Sequence, residues 1–152
     1  MLKIPVRAAL CCVLIAAFAV GAATIREGNA REPMVRITPL VSSGTSIVGE
    51  TVRYPQEAAA RITAAVVALA PGEETGWHRH GVPTFGYILE GELTVDYGEK
   101  GRHVYRPGDA FLEAIEAAHN GRNTGAGIMR VLVVFATADG LATSAPATAP
   151  SK

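Results

Sequence analysis

The stretch GWHRHGVPTFGYILEG, residues 76–91, predicts a β-strand that ends in a tight turn at Glu90-Gly91, with two histidines shortly before it. Side chains two positions apart on an extended chain point to the same side, so His78 and His80 project together, away from Arg79. Neutral imidazole is a common metal ligand in proteins, and a His-x-His pair supplies half of a metal site. The stretch therefore indicates a β fold, and by itself it leaves two alternatives for the histidine pair: half of a metal site, or two surface histidines that flank an arginine.

The chain around this stretch is predicted to form short β-strands separated by turns that contain Gly and Pro. Within residues 92–97, Leu93, Val95 and Tyr97 alternate with polar residues, which is typical of a strand with one buried face. No later segment has a convincing helical period, and many short strands favour a sandwich or a barrel, so the folded domain is predicted to be all-β. The other predicted strands cover residues 34–40, 46–55, 61–70, parts of 84–105, 110–114 and 127–138.

Composition divides the chain into three segments. Residues 1–30 begin with basic residues, continue as an apolar stretch predicted to be a hydrophobic helix, and end with small residues, the pattern of a secretory signal peptide. The alternative is an uncleaved anchor over residues 8–25, because this stretch approaches the roughly 18 residues that span a bilayer. Residues 31–138 are predicted to form the barrel domain, and residues 139–152 a disordered tail of small and polar residues. We expect a periplasmic or secreted protein, or a membrane-anchored one if the leader is retained.

Charge and cysteine content exclude several kinds of site. The 152 residues carry 14 basic and 14 acidic side chains, and this balance gives no general attraction for nucleic acid. Both cysteines, Cys11 and Cys12, fall in the leader, so the remaining chain can form neither a disulfide nor a thiolate site. The chemistry must come from histidine, carboxylate or hydroxyl groups.

Two spaced motifs carry a family resemblance. Gly72 is followed after five residues by His78, then by His80 and the strand YILEG, which resembles the first signature motif of the cupin superfamily. The second cupin motif has a partial match that departs from the family at Ala114 and Glu116, where Pro and Gly are usual. Together the matches span roughly residues 60–137. The residues that match the second motif are Gly108, Asp109, His119 and Asn123.

The resemblance implies a double-stranded β-helix, or jelly roll, in which His78, His80 and His119 converge inside the barrel on one divalent metal ion. In the family pattern a glutamate follows the second histidine as a fourth ligand, and Thr84 occupies its place here. The sequence leaves the ion open among Zn, Fe, Mn and Ni, because imidazole binds several metals. Without the glutamate, the ion keeps its full double charge, acidifies a bound water more strongly and holds anionic ligands better.

Three further residues are candidates for the site. Thr84 is a possible weak hydroxyl ligand or a group that orients a metal-bound water. Glu113 is a second candidate ligand and the candidate catalytic group, because it shares a face with Phe111 and a buried carboxylate needs a partner. The alternative is a strand-end glutamate that reaches solvent. Asn123 is expected to satisfy loop backbone or to hold a neighbouring residue in place.

Two residues near the motifs are predicted to be structural. His103, the fourth histidine, has no ligand-like neighbour and is expected at an exposed strand position. Trp77 falls on the face opposite the two paired histidines if the strand is regular, so packing is favoured over stacking on a substrate.

The sequence leaves two functions open. The first is an exported metalloenzyme of the dioxygenase, isomerase or lyase type that acts on a small molecule inside the barrel. The second is a binding or sensing module that holds a small molecule or a metal without turnover, since a fold does not determine a function. A structural role as an interaction domain ranks last, because it leaves the histidines unexplained, and a homodimer is possible in each case.

Overall fold

The two larger of three antiparallel sheets pack face to face with the apolar core between them. The computed structural model describes residues 36–56 and 58–151, and its only helical segment within these ranges is one 3-10 turn at Gly98–Lys100. The prediction of an all-β jelly roll is confirmed. The strands are β1 (Ala60–Leu69), β2 (His78–Arg79), β3 (Thr84–Glu90), β4 (Leu93–Asp96), β5 (Arg102–Tyr105), β6 (Ala110–Leu112), β7 (Asn120–Asn123), β8 (Met129–Ala138) and β9 (Ala145–Pro146).

The strands form three sheets. The larger sheet has the order β1-β8-β3-β6, the second has the order β5-β4-β7, and β2 pairs with β9. The longest ladder joins β1 to β8 over ten residue pairs, from Ala60 opposite Ala138 to Leu69 opposite Met129. Strands that neighbour each other in a sheet are mostly distant in sequence, so the order of strands along the chain does not reveal which of them pair.

The core takes alternate side chains from each sheet. Leu93, Val95 and Tyr97 are 5%, 1% and 2% exposed, which confirms the predicted alternation. From the facing sheet, Phe111 and Val131 join the same apolar cluster. Burying these side chains is the main stabilising contribution in a domain of this size, at roughly 25 cal/mol per Å² of apolar surface.

The turn between β3 and β4 depends on Gly91. Its φ of 76° lies in the left-handed region, which residues with a side chain rarely adopt. A Cβ atom at this position would also lie 2.6 Å from the Cα of Met129. The chain turns at Gly91, as predicted, and passes there from β3 in the larger sheet to β4 in the second sheet.

The segment before β1 differs from its prediction. Among residues 36–56, extended pairing is limited to an isolated bridge between Thr45 and Thr51, so the strands predicted over 34–40 and 46–55 are wrong where the structure describes them. The backbone turns back on itself instead, because the amide of Ser46 donates to the carbonyl of Glu50 at 2.8 Å. Local turn hydrogen bonds use the groups that a strand would have needed.

The predicted leader, residues 1–30, lies outside the described residues. The hydrophobic helix, the signal peptide and the membrane anchor therefore stay predictions. Among the residues that the structure does describe, no helix combines the length and the apolar character needed to cross a bilayer.

The C-terminal residues correct the prediction of a disordered tail. Ala145 and Pro146 form β9 and pair with Arg79 and His78 of β2. The amide of Ala147 donates to the carbonyl of Trp77 at 3.0 Å. Leu141 is the one large apolar residue among residues 139–152. Backbone hydrogen bonds hold residues 145–147, and residues of almost any type can supply those.

Candidate metal centre

Three histidines meet at one end of the space between the sheets. Their potential ligand nitrogens, on His78, His80 and His119, all lie within 4.8 Å of one another. The ring centroids are 4.4 Å apart for His78 and His119, and 5.0 Å apart for each of the other two pairs. The convergence that the family resemblance implied is therefore present in the fold.

Backbone pairing brings the distant histidine to the His-x-His pair. His78 and His119 exchange two backbone hydrogen bonds, at 3.0 and 2.9 Å, in an isolated antiparallel bridge. Residues paired in this way place their side chains on the same face of the ladder. The bridge explains why a histidine that precedes β7 reaches the two histidines at β2.

The three rings share one hydrogen-bonding pattern. Each Nδ1 lies 2.9 Å from a backbone carbonyl oxygen, that of Gly76 for His78, Thr143 for His80 and Ala117 for His119. Because a carbonyl only accepts, each Nδ1 carries the proton, and each Nε2 keeps a lone pair for a metal ion. Metal-binding histidines are commonly held by such bonds from the other ring nitrogen.

One ring nitrogen in this cluster makes no hydrogen bond. Among the described residues, Nε2 of His119 is the buried side-chain polar atom that has no hydrogen-bond partner. A buried polar atom without a partner is costly, and ligation of a metal ion would satisfy it. The residues present thus fit a divalent ion held by three imidazoles.

The imidazoles are suited to ligation because they are uncharged near neutral pH. Burial lowers the pKa of His80 to about 4, against the opposing effect of its hydrogen bond to Thr143. Burial also lowers the pKa of His78 and that of His119 below the usual range. A metal ion would therefore not have to displace protons from these nitrogens in neutral solution.

Glu113 lies inside the barrel beside the histidines, as its parity with Phe111 predicted. It is 7% exposed, and its Oε2 lies 4.0 Å from Nε2 of His119. Its Oε1 accepts hydrogen bonds from the Tyr97 hydroxyl at 2.7 Å and from the Ala114 amide at 2.8 Å. Burial raises the pKa of this carboxyl to about 7, although the bond from Tyr97 opposes the rise.

Thr84 lines the same space but already has a partner. Its side chain is buried, and its hydroxyl donates to the carbonyl of Val82 at 3.1 Å. The hydroxyl oxygen keeps lone pairs, so its role as a weak ligand stays a prediction.

Asn123 holds loop backbone. It is 1% exposed, and its Nδ2 donates to the carbonyls of Leu69 and Gly127 at 2.9 and 2.8 Å. Its Oδ1 accepts from the amide of Gly125 at 2.9 Å. Of the two roles considered for Asn123, the structure shows the first, because its amide bonds to backbone and not to a histidine ring.

Two predictions for the aromatic side chains need correction. His103 is half-buried rather than exposed, with its ring centroid 5.6 Å from that of Tyr97. Trp77 lines the cavity that contains the three histidines. The alternation of faces along a regular strand did not apply to Trp77, because β2 is only two residues long and does not include it.

Glu50 was missed by the sequence reasoning. Its carboxylate accepts backbone hydrogen bonds from Ile115, Glu116 and Ala117, at 2.6, 3.0 and 2.8 Å. This loop precedes His119 and supplies the carbonyl that holds its ring. No sequence signal marks Glu50, because it lies 65 positions before the first amide that it binds.

The histidines and Glu113 open into a cavity of about 460 Å³. That volume falls within the range of small-molecule sites, roughly 300–1,000 Å³. Among the residues that the structure describes, neither an arginine nor a lysine lines it. Most of the lining is apolar and comes from both sheets: Val67, Leu93, Val95, Phe111, Met129, Val131, Val133 and Phe135.

Comparison with protein families agrees with this geometry. Residues 65–135 match the family model described as the cupin domain, a range that contains the three histidines and Glu113. No curated protein matches the chain. The chain belongs to the cupin superfamily.

Several solved structures are similar over the barrel. The oxalate decarboxylase of Lactobacillus farciminis, in a formate complex, is 23% identical with a TM-score of 0.49, over 56% of this chain and 26% of that one. A protein from Thermus thermophilus is 33% identical with a TM-score of 0.47, over 57% and 90%. A sugar phosphate isomerase of the cupin superfamily from Silicibacter pomeroyi is 26% identical with a TM-score of 0.44, over 49% and 50%. The chain thus spans about a quarter of the decarboxylase and half of the isomerase.

Proposed function

We propose that this cupin is a mononuclear metalloenzyme that acts on a small molecule inside its barrel. The observation that carries the proposal is the shared orientation of the three imidazoles. Their Nδ1 atoms are tied to carbonyls, and their ligand nitrogens lie within 4.8 Å of one another. His78, His80 and His119 would hold one divalent ion, which when bound would polarise a substrate oxygen or acidify a water.

Glu113 is the proton-transfer group of this proposal. Its Oε1 is occupied by the hydrogen bonds from Tyr97 and Ala114, which fix the orientation of the carboxyl group. Its Oε2 faces the histidine cluster and is the atom that accepts or returns a proton. Tyr97 in turn lies 3.2 Å, oxygen to oxygen, from Tyr105, so a buried hydrogen-bonded chain supports the carboxyl.

The lining of the cavity favours an uncharged or singly anionic substrate with a largely apolar body. Within residues 36–56 and 58–151, no arginine or lysine lines the cavity, so these ranges provide no permanently cationic side chain to pair with a second negative charge. The ionised form of Glu113 would also repel an anion close to the histidines. A compact apolar molecule with one oxygen able to approach a metal fits this environment best. Export through the segment 1–30 is part of the same proposal, on the composition of that segment alone.

The first experiment measures metal content in the full-length protein purified without a histidine tag, by elemental mass spectrometry. The wild type is compared with His119→Ala and with His103→Ala, which removes a histidine outside the cluster. We expect close to one metal ion per chain in the wild type and His103→Ala, and loss of the ion in His119→Ala. If no divalent ion is retained under any loading condition, the proposal is overturned.

A second experiment separates an enzyme from a metal-dependent binder. The metal-loaded protein is screened for turnover of small apolar alcohols, enols and monocarboxylic acids, with oxygen uptake recorded in parallel. Turnover that disappears in Glu113→Gln supports the catalytic assignment. Binding without turnover across the panel would favour the non-catalytic module instead.

A further inference from the structure

We propose that residues 143–147, here named the C-terminal strap, complete the metal site and form the outer wall of the substrate cavity. This inference rests on the proposed function for the identity of the ligands. The strap would hold the ring of His80 in position, and it would also select which molecules enter the barrel.

The strap is bonded to the segment that carries two of the ligands. Its β9 residues pair with His78 and Arg79 of β2. Just beyond this pairing, the amide of Ala147 donates to the carbonyl of Trp77 at 3.0 Å. The strap therefore runs antiparallel to residues 77–79 and gives β2 a partner strand in addition to the bridge between His78 and His119.

His80 depends on the strap in a way that the other two histidines do not. The carbonyls that hold His78 and His119 belong to Gly76 and Ala117, each two residues away from its histidine. The carbonyl that holds His80 belongs to Thr143, 63 positions away. Without the strap, Nδ1 of His80 loses its acceptor, and the ring loses what fixes its tautomer and orientation.

The strap also bounds the cavity. Ser144, Ala145 and Pro146 are among its lining residues, and all three are exposed to solvent on their other side. Trp77, half-buried, lines the cavity beside them. The wall between the substrate space and bulk water at this point is thus one chain thick.

The attachment is of a kind that can open while the barrel stays folded. None of the residues of the strap belongs to the apolar core cluster, which is built from residues 67–133 together with Val48. Segments held by exposed backbone hydrogen bonds, with little apolar burial, open at a small fraction of the global unfolding free energy. The strap can therefore admit a substrate and then close over it.

The test compares the full chain with a truncation after Leu141, which removes the strap and leaves the core. Zn²⁺ affinity is measured by competition with a chromophoric chelator. Loss of a group that orients a metal ligand typically costs about 10–100-fold in affinity, and we expect a loss of this size.

In parallel, the fluorescence of Trp77, the only tryptophan in the chain, is recorded with acrylamide quenching. We expect a red shift and faster quenching in the truncated chain.

A pair of single substitutions gives a matched comparison in the full-length chain. Ala147→Pro removes the amide that donates to Trp77, and Ala149→Pro places the same residue type outside the strap. One backbone hydrogen bond contributes about 1 kcal/mol, so Ala147→Pro should raise the open fraction of the strap about fivefold. We expect acrylamide to quench Trp77 more strongly in Ala147→Pro than in the wild type. In Ala149→Pro we expect the quenching to equal that of the wild type.

The outcomes separate the two proposals. If the full chain binds neither Zn²⁺ nor any other divalent ion, the proposed function fails, while the quenching of Trp77 still tests the wall in the metal-free protein. If the full and truncated chains bind Zn²⁺ equally, the positioning role is overturned although the metal site stands. If the fluorescence of Trp77 is the same in both chains, the strap is not the wall of the cavity.

Discussion

Oε2 of Glu113 and Nε2 of His119 lie 4.0 Å apart, and both side chains are buried. This separation is too long for a hydrogen bond, so neither atom satisfies the other. The carboxylate is held back by Tyr97 and Ala114 on its other oxygen. The imidazole nitrogen is left free for a metal ion, and the carboxylate is left free to exchange a proton beside it.

Glu113→Gln should reduce turnover while the metal is retained. A positioned acid or base contributes typically about 10²–10⁴-fold to rate, and glutamine can neither donate nor accept that proton. The measurement is kcat together with metal content, and Glu116→Gln, at an exposed carboxylate that pairs with Arg79, is the control. If Glu113→Gln loses its metal as completely as His119→Ala does, Glu113 is a ligand instead.

Tyr97→Phe should raise the pKa of Glu113 above about 7 in the metal-free protein. The hydroxyl of Tyr97 donates to the carboxylate and stabilises its charged form, so its removal favours the protonated form. The protonated carboxyl is followed by infrared titration of its C=O stretch, identified by its absence in Glu113→Gln. Tyr105→Phe leaves that donor in place and should change the pKa less. An equal shift in both variants would mean that the hydroxyl of Tyr97 has no direct effect.

Glu50→Gln should destabilise the protein and weaken its sensitivity to acid. Three backbone amides bind the carboxylate, and a glutamine would turn donor hydrogens toward some of them, at a cost of roughly 1–3 kcal/mol. These bonds and the one from Ser46 lower the pKa of Glu50 below its usual 4.5, although partial burial alone would raise it. Its contribution is therefore present above pH 4.5 and is lost as the pH falls through the lower folded-state value.

The measurement for Glu50 is the free energy of unfolding by urea across the acidic range up to neutral pH, with Glu99→Gln as an exposed control. The free energy of unfolding should fall as the pH is lowered in the wild type and in Glu99→Gln. In Glu50→Gln the same fall should be smaller. Parallel pH curves for all three proteins would show that the carboxylate of Glu50 has no such role.

Gly86→Ala should destabilise the barrel at the floor of the cavity. A Cβ atom there would lie 2.8 Å from Cε1 and Cε2 of Phe111. The ring of Phe111 stacks on that of Tyr105 at 4.0 Å between centroids, so it has little room to move. Overpacking of this kind costs about 1–3 kcal/mol, measurable as a lower Tm. Gly44→Ala, with open space around its Cβ position, should leave the Tm unchanged. A fall of the same size in both would refute the packing argument.

Some parts of the site were predictable because they depend on local geometry. The two-residue period of an extended chain placed Leu93, Val95 and Tyr97 in the core and Glu113 inside the barrel. The same period paired His78 with His80. It failed for Trp77, because a strand of two residues does not extend its parity to a neighbour.

The partners of those residues were not predictable. Glu50 binds a loop 65 positions away, and Thr143 holds a histidine 63 positions away, through a carbonyl that every residue type possesses. A backbone group leaves no trace in the identity of its residue, so sequence reasoning took the strap for a disordered tail.

The sequence by itself determined the β architecture, the turn at Gly91 and the pairing of His78 with His80, because strand period and glycine conformation are local properties, and the resemblance to the cupin motifs added His119 to the set of imidazoles. Only the tertiary structure decided how those imidazoles are oriented, what lies beside them and what closes the cavity. Those features arise from backbone hydrogen bonds between distant segments, and only the folded chain brings these segments into contact.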